Sequence, residues 1–173
     1  MTAAAKSPAI GFLTAVEHAE FGIFGGYLIL NAAGRPLEFH CTAPVKANRA
    51  QEILYGPTLR DYLYEQIAPA LLAKAKATPA LVCTDVKSLR LDGEVPLVTI
   101  LAAEEAPSGG DTTTFRLGAN WASLPPQRAA EQPAIENRWQ QLSAGGLDLR
   151  EPFGRIREAL EEAQKAAASK SAA

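Results

Sequence analysis

Apolar and polar positions change period several times along the chain, and the changes mark out its elements. Residues 10–16 alternate loosely. Residues 24–30 form an aromatic and aliphatic run that contains Gly25 and Gly26, which read as a bulge or a close backbone approach within a strand. Residues 37–42 alternate strictly, with Leu37, Phe39 and Cys41 on one face and Glu38, His40 and Thr42 on the other. A turn, NAAGRP, joins the second and third runs, with Gly34 as its left-handed position. Three such segments predict an antiparallel meander.

The period then becomes helical. Asn48 is a good cap for a short helix through Tyr55, ended by Gly56 and Pro57. Thr58, with Asp61 three residues on, predicts the start of a second helix to about residue 77. Its stripe is Leu59, Tyr62, Leu63, Ile67, Ala70 and Leu71, and Pro69 should kink or split it. Residues 80–84 and 95–103 read as buried strands, and 113–117 as a further strand. Two helices follow: 133–144, with Ile135, Trp139 and Leu142 on one stripe, and one that starts near Pro152. The last carries Phe153, Ile156 and Leu160 on a narrow apolar face, as a surface helix or one laid in a partner's groove does.

This order, β-β-β-α-α-β-β with a C-terminal helical extension, predicts an α+β fold with a central, mainly antiparallel sheet and helices packed on it. The expected organisation is a disordered tail over 1–9, an α+β core over 10–104, an appended strand-and-helix region over 105–162, and a low-complexity tail over 163–173. At 173 residues the chain has the length of one ordinary domain. Its hydrophobic fraction of 47% overstates the core, because 33 residues are alanine.

Charge and motif content exclude more than they assign. A net charge of −2 argues against nucleic acid as the main partner. The longest apolar run, 21–30, is too short to span a bilayer, and no secretory leader is visible, so a cytoplasmic setting without a membrane is expected. In that setting Cys41 and Cys83 should be reduced, mostly buried thiols. His40 and Cys41 point to opposite faces of one strand, and no CxxC, HxH, HExxH or GxSxG spacing occurs. Neither a metal site nor a cofactor is expected.

Both histidines, all four tyrosines and both cysteines lie between Glu17 and Asp85. Basic and aromatic residues interleave over 35–66, as they do where an anion or a protein partner is held. The expected binding residues are Glu38, His40, Lys46, Arg49, Tyr55, Arg60 and Tyr64. The leading expectation is a binding or adaptor domain that recognises a protein partner, a second copy of itself, or a small anionic ligand through 35–66. The same element order suits profilin-like and PAS-like binding folds. Glu38 and His40, on one strand face, also form a candidate acid–base pair.

The element order further resembles the start of the RNase H-like nuclease fold, over about 95 residues and without a shared motif. That resemblance implies acidic residues on the first strand, in the first helix and at the end of the fourth strand, which hold two Mg²⁺ ions for phosphoryl transfer. By position these are Glu17, Glu52 and Asp85, with Glu17 expected just past its strand. A metal-dependent nuclease or phosphoryl-transfer enzyme is therefore the alternative expectation.

Overall fold

A computed structural model describes residues 8–89, 91, 93–105, 113–142 and 146–171. Seven strands form one sheet: β1 (Ala9–His18), β2 (Gly22–Asn31), β3 (Pro36–Cys41), β4 (Leu81–Thr84), β5 (Leu97–Ile100), β6 (Thr113–Leu117) and β7 (Asn120–Leu124). Their order is β3-β2-β1-β4-β5-β7-β6. The meander β1–β2–β3 is antiparallel, as are the pairs β5–β7 and β6–β7, while β4 runs parallel to both β1 and β5. The fold is α+β, with a mostly antiparallel sheet and a long C-terminal helix.

The central strands are apolar on both faces because both faces are covered. Ala9, Leu13, Ala15, Ile23, Tyr27 and Ile29 point to one side, where they meet Leu63, Tyr64, Ile67 and Leu71 of α2 (Leu59–Leu72). Ile10, Phe12, Phe24, Leu28 and Leu30 point to the other. There they meet Ile135, Trp139 and Leu142 of α3 (Gln132–Leu142) and Phe153, Ile156 and Leu160 of α4 (Glu151–Ser171). Phe12 and Phe153 make an edge-on contact with centroids 5.7 Å apart. The narrow stripe of α4 is thus buried against the chain's own sheet.

Gly25 and Gly26 let this sandwich close. Adjacent strand residues face opposite ways. A Cβ on Gly25 would lie 2.2 Å from Ile67 Cγ2 of α2, and one on Gly26 2.4 Å from Ile156 Cγ2 of α4. The pair marks close backbone approach from both sides, and the β1–β2 register is unbroken through it.

Several boundaries differ from the sequence expectation. β1 extends to His18, which places Glu17 inside the strand, paired with Ile23. α1 (Arg49–Tyr55) has the expected cap: Asn48 Oδ1 accepts from Gln51 N at 2.9 Å, and Asn48 N donates to Gln51 Oε1 at 3.1 Å. Thr58 does not cap α2. Its hydroxyl instead donates back to the Tyr55 carbonyl at 2.7 Å. Pro69 sits inside α2, which ends one turn later at Leu72. The irregular stretch 118–133 holds β7 and a 3₁₀ segment, Pro126–Glu131. α4 continues through the alanine-rich segment to Ser171, consistent with the high helix propensity of alanine. No helix among the described residues is long and apolar enough to cross a membrane.

Candidate functional site

Strands β1, β4 and β5 run in the same direction, and their carboxyl ends open into one cleft of about 450 Å³. The connections leave this point in opposite directions: β1 leads toward β2 and β4 leads toward β5. In open α/β sheets ligands bind in such a crevice outside the carboxyl ends of parallel strands, and three strands of this mixed sheet share that arrangement. Here α2 contributes Arg60 and Tyr64, the turn after β4 contributes Asp85, Lys87 and Ser88, and α4 contributes Arg157. Glu105, past β5, completes the rim.

Register fixes the floor of the cleft. Leu13 lies opposite Thr84, so the next residues, Thr14 and Asp85, meet where β4 ends. The Thr14 hydroxyl donates to Asp85 Oδ1 at 2.6 Å. Arg157 Nη2 donates to Asp85 Oδ2 and approaches Thr14 Oγ1 at 3.4 Å. Thr14 is fully buried, and the Asp85 side chain is 10% exposed against 44% for Arg157. The bridge therefore has a nearly dry end at the sheet and a wet end at the cleft. Toward α2, Arg60 pairs with Glu17 at 3.4 Å, lies over the Tyr64 ring with its guanidinium carbon 5.4 Å from the centroid, and donates to the Tyr64 hydroxyl at 3.4 Å. Lys87 pairs with Glu105 at 3.0 Å.

The three acids of the nuclease expectation do not assemble. Glu17 engages Arg60, Glu52 engages Arg49 within α1 at 3.2 Å, and Asp85 engages Arg157. No group of three or more His, Cys, Asp or Glu among the described residues is placed to hold a metal ion. The residue of the first strand that meets Asp85 is a threonine, and the cation that meets it is a guanidinium. This donor set does not fit a two-metal site, which needs several carboxylates around ions roughly 4 Å apart.

Glu38 and His40 do come together, at 2.8 Å between Oε2 and Nε2. Glu38 also accepts from the backbone N–H groups of Lys76 at 3.0 Å and Ala77 at 2.7 Å, which ties β3 to the segment after α2. The His40 hydrogen bond, followed by that of Lys76, lowers the Glu38 pKa to about 2. A carboxylate held so firmly ionised is a weak base near neutral pH. The pair acts as a clamp. On β3 the polar face is the more covered one, while Leu37 and Phe39 are exposed, because the strand lies at the sheet edge.

The remaining expected residues scatter. Lys46 donates to the Glu20 carbonyl at 3.3 Å, beside the β1–β2 turn. Tyr55 stacks on Tyr62 at 4.3 Å and 19°, and the hydrogen bond between their hydroxyls raises the Tyr55 pKa. Tyr64 is buried in the α2 core, where it also lines the cleft, so Tyr55, Arg60 and Tyr64 do not make one exposed patch. Cys83 is buried and Cys41 exposed, both as free thiols, and burial raises the Cys83 pKa strongly.

Sequence reasoning missed Thr14, Lys87, Ser88, Glu105 and Arg157. Two carried a local signal: Thr14 is a lone hydroxyl in an apolar strand, and Arg157 adjoins the buried stripe of α4. Neither a scan against protein-family models nor a search of curated proteins finds a match to this chain.

Proposed function

We propose that the chain is a cytoplasmic binding domain that holds a small anionic ligand in the cleft at the carboxyl ends of β1, β4 and β5. One observation carries this reading: Arg60, Lys87 and Arg157 reach the same cleft from three separate elements. Arg60 and Lys87 are matched by carboxylates in exposed pairs, which are worth little, so an incoming anion competes with them at small cost, while Arg157 stays held by the nearly buried Asp85. Of the 35–66 segment, Arg60 and Tyr64 serve this site, and Glu38 and His40 serve the fold. The test is equilibrium dialysis of the full chain against a host-cell extract, with retained small molecules read by mass spectrometry. The chain should enrich anionic compounds, and a variant with Arg60→Glu and Lys87→Glu should not. Equal retention by both proteins removes the reading.

A protein partner is the second reading, and α1 favours it. The helix buries no residue, and Ile53 and Leu54 are 65% and 83% exposed. Large apolar side chains on an outlying helix suit a partner's groove. Ile53→Ser with Leu54→Ser should abolish capture of that partner without lowering stability.

A further inference from the structure

Resting on the cleft as the ligand site, we infer that the group it recognises is a phosphoryl group rather than a carboxylate. The cations stand on three different walls, with Arg60 on α2, Lys87 on the turn after β4 and Arg157 on α4. A carboxylate presents two oxygens in one plane, which a single guanidinium satisfies. A phosphoryl group presents three peripheral oxygens in diverging directions, which suits donors that converge from separate elements.

Arg157 is prepared for the role. Asp85 and Thr14 hold its guanidinium through Nη2, and the planar group carries five N–H donors in fixed geometry. Clamping one corner orients the plane, so little side-chain freedom is lost when the group meets an anion. Ser88 and Tyr64 add hydroxyls to the same walls. The acids of the cleft do not oppose the anion alone: Asp85 is neutralised by Arg157, and Glu105 is paired with Lys87. The three cations are matched by Glu17, Glu105 and Asp85, so the cleft selects its ligand by the divergent placement of its donors and not by an excess of charge.

The test is a titration of the isotopically labelled full chain with inorganic phosphate at pH 7, followed by amide NMR, with acetate and chloride at matched ionic strength. Phosphate should give saturable shifts centred on residues 60, 64, 85–88 and 157, with an affinity at least about tenfold above acetate, the weight of one charge-assisted hydrogen bond. Arg60 and Lys87 are 67% and 68% exposed, so Arg60→Gln and Lys87→Gln should fold normally. Each should weaken phosphate about tenfold. Lys165→Gln, remote from the cleft and paired with Glu162, should change nothing. Acetate binding at these residues as tightly as phosphate, or more tightly, overturns the inference and leaves the cleft as a ligand site. Shifts no larger than those of chloride overturn both. Unchanged affinity in Arg60→Gln and Lys87→Gln also overturns the inference.

Discussion

Replacing Gly26 by alanine tests whether the sheet is pinched between two helices at β2. The added Cβ would lie 2.4 Å from Ile156 Cγ2 and 3.4 Å from both Leu160 methyls. Ordinary carbon contacts are near 3.5–4.0 Å, so α4 must retreat by about 1 Å or Ile156 must leave its rotamer. Ile156 is fully buried and Leu160 nearly so, which leaves no space for an inexpensive adjustment. Overpacking of this kind costs about 1–3 kcal/mol, and the lower chain entropy of alanine returns about 0.5–1 kcal/mol. The expected net loss is about 1–2 kcal/mol, or a Tm lower by roughly 2–8 °C for a chain of this size. Urea denaturation followed by circular dichroism reads the free energy directly.

A double-mutant cycle isolates the cause. Ile156→Ala removes the offending methyl and alone costs about 2–5 kcal/mol through its cavity. Combined with Gly26→Ala, the loss should fall at least about 1 kcal/mol short of the sum, because the new methyl enters space that Ile156 vacated. Ile156→Val keeps a Cγ2 methyl and should give no such relief. Gly93→Ala meets nothing within 4 Å and should change stability by less than about 0.5 kcal/mol. Additivity within about 0.5 kcal/mol in the alanine cycle, or a Gly26→Ala protein as stable as the parent, refutes the pinched-sheet account.

Further outcomes follow from the clamp, the bridge and the core. Because the folded Glu38 pKa of about 2 lies below its ordinary value of 4.5, its contribution to stability is present above pH 4.5 and is lost as pH falls toward 2. Glu38→Gln should therefore lower stability at neutral pH and flatten the acid limb of the stability–pH curve between those values, whereas an unchanged limb contradicts the assignment. Arg157→Gln leaves Asp85 nearly buried without its cation and should cost about 1–3 kcal/mol in urea unfolding, well above an exposed pair. Asp85→Asn with Arg157→Gln should recover part of that loss. The Tyr27 hydroxyl is buried without a hydrogen-bond partner among the described residues, so Tyr27→Phe should leave stability unchanged or raise it by about 1 kcal/mol. A clear loss in thermal unfolding would show a partner for that hydroxyl.

Local pattern carried the elements that local physics decides. Alternation and apolar runs located β1, β2 and β3, and the Asn48 cap located α1. β7 escaped because Asn120–Leu124 holds only Trp121 and Leu124 as large apolar residues, while its strand character comes from pairing with β6 across the turn at Gly118. β3 was legible as an alternating strand, but its environment was not: sequence does not show that an edge position leaves Leu37 and Phe39 in solvent while Glu38 gains backbone donors. The cleft was the least legible feature. Thr14 and Asp85 are 71 residues apart, and Asp85 and Arg157 are 72 apart, so only the parallel β1–β4 register and the docking of α4 bring them together. Acidic residues could be counted from the sequence, but the cations that bind them could not be assigned.

The placement of α4 also sets a schedule for the growing polypeptide. β1 and β2 leave the ribosome before the rest of the fold and can pair at once, since their connection is short. Their α4-facing side, with Ile10, Phe12, Phe24 and Leu28, receives its full cover only when α3 and then Phe153, Ile156 and Leu160 of α4 have been synthesised. Arg155 then reaches the Gly34 carbonyl at 3.0 Å and fixes the helix to the β2–β3 turn. For well over a hundred residues of translation, a nascent hairpin carries an uncovered apolar flank, the kind of surface that folding helpers bind and that neighbouring chains aggregate upon.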